Sequence, residues 1–91
     1  MKELHTLRKE IDNINTEILS LLAKRFSLTR KIGELKHAHR LPPKDTKREM
    51  AQLENLIAQA KKLKLEPNLI AKIYQLIVVE VVKEHKKNKH P

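Results

Sequence analysis

The chain has 91 residues, 40% of them apolar and 34% charged, with 20 Lys and Arg against 11 Asp and Glu for a net charge of +9. This balance excludes a disordered chain, and the length holds a single domain over residues 1–91 or one subunit of an assembly. Without cysteine there is no disulfide, thiol nucleophile or thiolate metal site, which fits a reducing cytoplasm.

The first element spans roughly Glu3 to His39. Leu4, Leu7, Ile11, Ile14, Ile18, Leu21, Arg25, Leu28, Ile32 and Leu35 alternate in steps of four and three. That period predicts one stripe along a helix about 50 Å long. Such a helix exceeds the width of any globule this small, so it must lie against something of equal length, and a second copy of the chain is the economical choice. Pro42-Pro43 ends the segment.

A second helix is expected from Asp45, a plausible N-cap, to about Lys64, with Met50, Leu53, Ile57 and Ala60 as its stripe. A third begins near Pro67, a good first-turn residue, and runs to about Lys86. Leu69, Ile70, Ile73, Tyr74, Leu76, Ile77, Val78, Val79, Val81 and Val82 surround it almost completely, so it is expected to be the most buried element. Its Leu69–Val82 stretch is interrupted by Lys72, Gln75 and Glu80, so no membrane span is expected. The N-terminal MKELHTLRKE has no apolar signal core, so nothing there directs export. The expected fold class is all-α, with three helices per chain in an intertwined homodimer.

Arg25 breaks the pattern. It occupies a core position of the long stripe, seven residues from both Ile18 and Ile32. A buried guanidinium needs an anionic partner, either a glutamate from another helix or a ligand. Lys36 lies eleven residues further on, on the same face and about 16 Å along the axis. It is either a solvated lysine at a helix end or the second of two cations bracketing a small dicarboxylate. Arg8 is about 25 Å from Arg25 along the helix and reaches that pocket only from the other chain of an antiparallel dimer. In the second helix Asp45, Arg48 and Glu49 share the first turns. They read either as ordinary capping with exposed ion pairs or as a receptor for an anion.

Taken together, these residues resemble the all-helical class of chorismate mutases. The resemblance rests on Leu7-Arg8-Lys9-Glu10-Ile11-Asp12, Ala23-Lys24-Arg25, Lys31-Ile32-Gly33-Glu34-Leu35-Lys36, Pro43-Lys44-Asp45-Thr46-Lys47-Arg48-Glu49 and Tyr74-Gln75-Leu76-Ile77. It covers residues 4–86 without a gap. It implies the pericyclic rearrangement of dianionic chorismate to prephenate, within aromatic amino acid synthesis, in cytoplasmic homodimers and with no cofactor or metal. It further implies that Arg25 and the partner's Arg8 hold carboxylates, that Arg48 supports the pocket, and that Lys36 faces the breaking ether bond. Glu49, with backbone near Asp45, would accept the substrate hydroxyl.

Two positions depart from the pattern of that class. Val81 stands where some members have serine, a tolerable packing change. His85 stands where Gln or Glu completes the contact to the ether oxygen. Its ring should point into the end of the pocket and donate there, but an imidazole's donors depend on tautomer and charge, unlike an amide's. The competing picture of His85 is a frayed residue in a basic tail. His5, His37, His39 and His90 have no metal-ligand spacing and are expected to face solvent.

Three further readings compete. A pyruvate lyase acting on isochorismate uses the same kind of pocket, although Glu49 suits the mutase better. A partner-activated mutase is compatible with the chain. A non-catalytic basic dimer binding protein or nucleic acid is disfavoured, because it needs its arginines outside rather than on a buried stripe. One Phe, one Tyr and no Trp also leave no stacking platform for bases. The expected partners are therefore a small dianion and a second copy of the chain, with no nucleic acid and no membrane.

Overall fold

The computed structural model describes residues 1–87, an all-α chain of three helices: α1 (Lys2–Ala38), α2 (Thr46–Lys62) and α3 (Pro67–Lys87). His90 lies outside the described residues. The helix starts follow from local chemistry. Asp45 caps α2, its Oδ1 accepting the Arg48 amide at 3.0 Å. Pro67 opens α3, where its missing N–H leaves nothing unpaired.

Both α1 and α2 end in Schellman turns. After α1, Leu41 N–H reaches the Lys36 carbonyl at 2.7 Å and Arg40 takes φ 53°. After α2, Leu65 N–H reaches the Ala60 carbonyl at 2.8 Å and Lys64 takes φ 60°. The second helix therefore stops at Lys62, two residues before the expected Lys64, which instead forms its left-handed cap.

Helix α3 packs against both α1 and α2, and those two do not pack on each other. The chain is long and flat, 57 × 27 × 14 Å. Its radius of gyration is 16.8 Å, against about 12 Å for a globular chain of this length. Its accessible surface of 7972 Å² exceeds that of a compact protein of this mass by about 2,500 Å². Among the described residues only Ala60, Tyr74 and Val78 form a buried apolar core.

The 4-3 stripe of α1 stays in the open, from Leu7 at 50% and Ile11 at 57% exposed to Leu35 at 59%. What α1 turns toward the rest of its own chain is a neighbouring stripe, Leu22, Phe26, Thr29, Gly33 and Lys36, again in steps of four and three. It begins only in the second half of the helix. As expected, α3 is the most buried of the three helices, with three buried residues against one each in α1 and α2, although it is not enclosed. Tyr74, Val78 and His85 are buried, but Leu69, Ile73, Leu76 and Val79 remain exposed, because one chain supplies helices for only part of its circumference. No helix among the described residues is long and apolar enough to cross a membrane.

Candidate active site

A cavity of about 310 Å³ opens where α1, the α1–α2 linker, α2 and the end of α3 converge. Each helix contributes residues at helical spacing. Helix α1 gives Arg25, Thr29, Ile32 and Lys36, and α3 gives Tyr74, Val78, Val81 and His85, both sets at i, i+4, i+7 and i+11. The first two turns of α2 give Asp45, Arg48, Glu49 and Gln52. Seven of the eight residues singled out from the sequence thus meet in one place. The eighth, Arg8, lies on the exposed first half of α1 and does not line this cavity. A second cavity, about 440 Å³, runs between α2 and α3 and shares Arg25, Arg48, Gln52 and Tyr74 with the first, so the two form one groove.

Three cationic side chains, Arg25, Lys36 and Arg48, share the wall with two carboxylates, Asp45 and Glu49. The carboxylates are already engaged. Asp45 is spent on its cap, and Glu49 Oε1 lies 3.6 Å from Lys44 Nζ. The Lys36 ammonium donates to the Pro43 carbonyl at 3.2 Å, while the Lys36 carbonyl accepts from Leu41. The lysine that faces the cavity is thus tethered to the linker at both ends. Arg25 has no carboxylate within ion-pair distance among the described residues, so an intrachain glutamate does not explain it.

Tyr74 closes the floor. Its hydroxyl hydrogen points to Gln52 Oε1 at 2.5 Å, with the Glu49 carbonyl at 3.3 Å. Burial raises the phenol above its ordinary pKa, the Glu49 charge adds to this, and Arg25 and Arg48 oppose it. A neutral hydroxyl therefore pins the start of α2 to α3 at any ordinary pH.

His85 is 4% exposed, which removes the picture of a frayed tail residue. It lines the cavity end as expected, yet it is not the free donor that the sequence suggested. Its Nε2 lies 2.8 Å from the Thr29 carbonyl and its Nδ1 3.4 Å from the Pro43 carbonyl. Backbone acceptors face both ring nitrogens, and no side-chain pattern encodes them. Val81 is half-buried in the same wall. His5, His37 and His39 are exposed, and no three His, Asp or Glu side chains gather to hold a metal among the described residues.

Sequence reasoning missed Thr29 and Gln52 as wall residues. Both were within reach of the same periodicity, Thr29 lying between Arg25 and Lys36 and Gln52 one turn beyond Arg48.

Known proteins share sequence with this chain over most of its length. The family model described as chorismate mutase type II matches residues 7–86. A bifunctional chorismate mutase/prephenate dehydratase of Buchnera aphidicola subsp. Schizaphis graminum is 41% identical over 93% of this chain and 22% of its own length. The T-protein of Haemophilus influenzae is 35% identical over 88% of this chain and 21% of its own. The chain spans about a fifth of such relatives. It covers 79% of a chorismate mutase of Methanocaldococcus jannaschii, with 31% identity over 86% of this chain. With the match running through all three helices, the chain belongs to the chorismate mutase type II family.

Proposed function

We propose that the chain is a cytoplasmic chorismate mutase that rearranges chorismate to prephenate in aromatic amino acid synthesis, as an intertwined homodimer with two shared sites. One observation carries the reading: Arg25, placed on a stripe otherwise apolar and without a carboxylate partner among the described residues, opens into the same cavity as Lys36 and Arg48. Such a cluster in a partly dry pocket wants an anion of matching shape and charge.

The rearrangement breaks an ether C–O bond as a C–C bond forms, and it needs no nucleophile. The protein's task is to hold the reactive conformer and to stabilise charge that develops on the ether oxygen. Arg25 and Arg8 of the partner subunit clamp carboxylates, and Lys36 leaves the Pro43 carbonyl to face the ether oxygen. Glu49 accepts the substrate hydroxyl beside the Asp45 backbone, Arg48 supports the cluster, and Val81 with His85 closes the wall. The +9 charge draws in a dianion, over the ~8 Å allowed by physiological salt.

The dimer follows from the open stripe of α1. The surplus surface of about 2,500 Å² per chain is of the size that obligate partners bury. Antiparallel pairing along that stripe brings Arg8 of one chain toward the Lys36 end of the other.

Loss of chorismate absorbance with the purified protein tests the activity. Turnover is expected in wild type, and Arg25→Ala should lose about a hundredfold or more in kcat/KM while its helical circular dichroism persists. Normal turnover by Arg25→Ala would overturn the site. Pyruvate release from isochorismate with no loss of chorismate would point instead to a lyase.

A further inference from the structure

The one glycine of the chain, Gly33, is buried in the middle of α1, where glycine is a poor helix former. Side chains on a helix lean toward its N-terminus, over the preceding turn. A Cβ at position 33 would therefore cover the carbonyl of Thr29, one turn earlier. That carbonyl is the one His85 reaches, with Nε2 at 2.8 Å. Because a carbonyl only accepts, this contact requires the hydrogen on Nε2. The other ring nitrogen, Nδ1, lies 3.4 Å from the Pro43 carbonyl, the same oxygen that accepts from Lys36 Nζ at 3.2 Å.

His85 thus touches α1 and the α1–α2 linker from the last turns of α3, and it does so at the resting place of the Lys36 ammonium. The Pro43 carbonyl likewise only accepts, so Nδ1 holds it only with a hydrogen of its own; the ring that carries both hydrogens gives one to each carbonyl and keeps no donor for a molecule in the cavity, although it forms part of the wall. We propose that His85 is a positioning residue, a strut that seats α3 on the bare backbone at Gly33 and, through the Pro43 carbonyl, sets where Lys36 stands before it turns to the substrate. The proposal rests on the reading of the cavity as a chorismate site, and it replaces direct donation from His85 to the ether oxygen.

Two measurements separate strut from donor. The first is ring nitrogen NMR of histidine-15N-labelled wild-type protein, with His85 assigned by the signal missing from His85→Gln. The expected spectrum has a solvent-protected Nε2–H in the free protein that saturating prephenate leaves unmoved. A shift of that signal on prephenate binding would overturn the proposal in favour of a direct donor.

The second uses His85→Ala and His85→Asn, because the asparagine amide nitrogen takes the place of Nδ1 and offers nothing at Nε2. His85→Ala should lower kcat about tenfold with KM changed less than twofold, as expected when a group is misplaced rather than removed. His85→Asn should recover most of that loss by holding Pro43 again, and in a Lys36→Ala background the two variants should be equal. Asparagine as poor as alanine, or a full His85→Ala loss without Lys36, would overturn the strut. Lys36→Ala turning over at the wild-type rate would instead strike the site reading, leaving the NMR result to speak for the strut alone.

Discussion

The two halves of α1 carry one continuous apolar stripe but are used differently. From Leu4 to Leu21 no stripe residue is less than 37% exposed. From Leu22 onward the helix presents a second stripe to α3, made of Leu22, Phe26, Thr29, Gly33 and Lys36. Arg25 sits on the open stripe where the second one starts, and it lines the cavity from there. In the proposed dimer the first half faces the partner chain. The second half has two faces, one packed on its own chain and one lining the cavity. This difference accounts for there being only three buried apolar residues among those described, in a chain that belongs to a family of enzymes. In the proposed dimer the rest of the core lies between subunits.

The sharpest way to break the comparison is to charge the open half. Ile14→Glu places a carboxylate in the middle of the proposed seam, where two copies would bury it against apolar neighbours. Sedimentation should report monomer in place of dimer, with loss of cooperative thermal unfolding and of nearly all chorismate turnover. A variant that stays dimeric and active would mean that the stripe faces solvent and that the dimer, if any, forms elsewhere.

A subtler division uses Arg8 and Arg25, one from each half. Arg8→Ala and Arg25→Ala should each lower kcat/KM by about a hundredfold. Mixed and re-annealed, the two variants should regain close to a quarter of wild-type activity, since half of the dimers are mixed and each has one intact site. A mixture as inactive as its parents would show that the two arginines do not serve one site across the seam.

Much of this was legible in the sequence. The starts of α2 and α3 followed from Asp45 and Pro67 and the end of α1 from the proline pair, and seven of eight nominated residues meet in the cavity. What escaped has a common cause. The stripe that joins α1 to α3 contains threonine, glycine and lysine, so its hydrophobic signal is faint beside that of the open stripe. The partners of His85 are backbone carbonyls, which carry no residue identity. Both Schellman turns place Arg40 and Lys64, rather than glycine, at positive φ, and their usual marker is therefore missing.

Changes within the α2–α3 unit should leave the seam alone. Tyr74→Phe removes the hydroxyl that reaches Gln52 and should cost about 1 kcal/mol at pH 8. The pH dependence has a definite sign. The folded state holds the Tyr74 proton more tightly than the unfolded chain, whose tyrosine ionises near pH 10. Stability is therefore unaffected by this group below about pH 10 and declines as pH rises from there through the raised value. Urea midpoints at pH 8 and 10.5 should converge between wild type and Tyr74→Phe at the higher pH. A gap that stays constant would mean that the phenol is not held neutral by burial.

The smallest effect is expected at Lys64, and its direction is upward. Lys64 closes α2 at φ 60°, where its amide reaches the Lys61 carbonyl at 3.2 Å and Leu65 reaches Ala60. A residue with a Cβ pays about 1 kcal/mol for that left-handed conformation, while glycine adopts it freely. Glycine also loses more entropy on folding, so the net gain from Lys64→Gly should be about 0.5 kcal/mol. The site is remote from α2's far end, so kcat should not change. Because the turn belongs to one chain, the rise in urea midpoint should be the same at protein concentrations tenfold apart, even though both midpoints should move with concentration as those of the proposed dimer must. A gain that grew or vanished on dilution would place Lys64 at the seam and redraw the boundary between the self-contained part of the chain and the part that needs its partner.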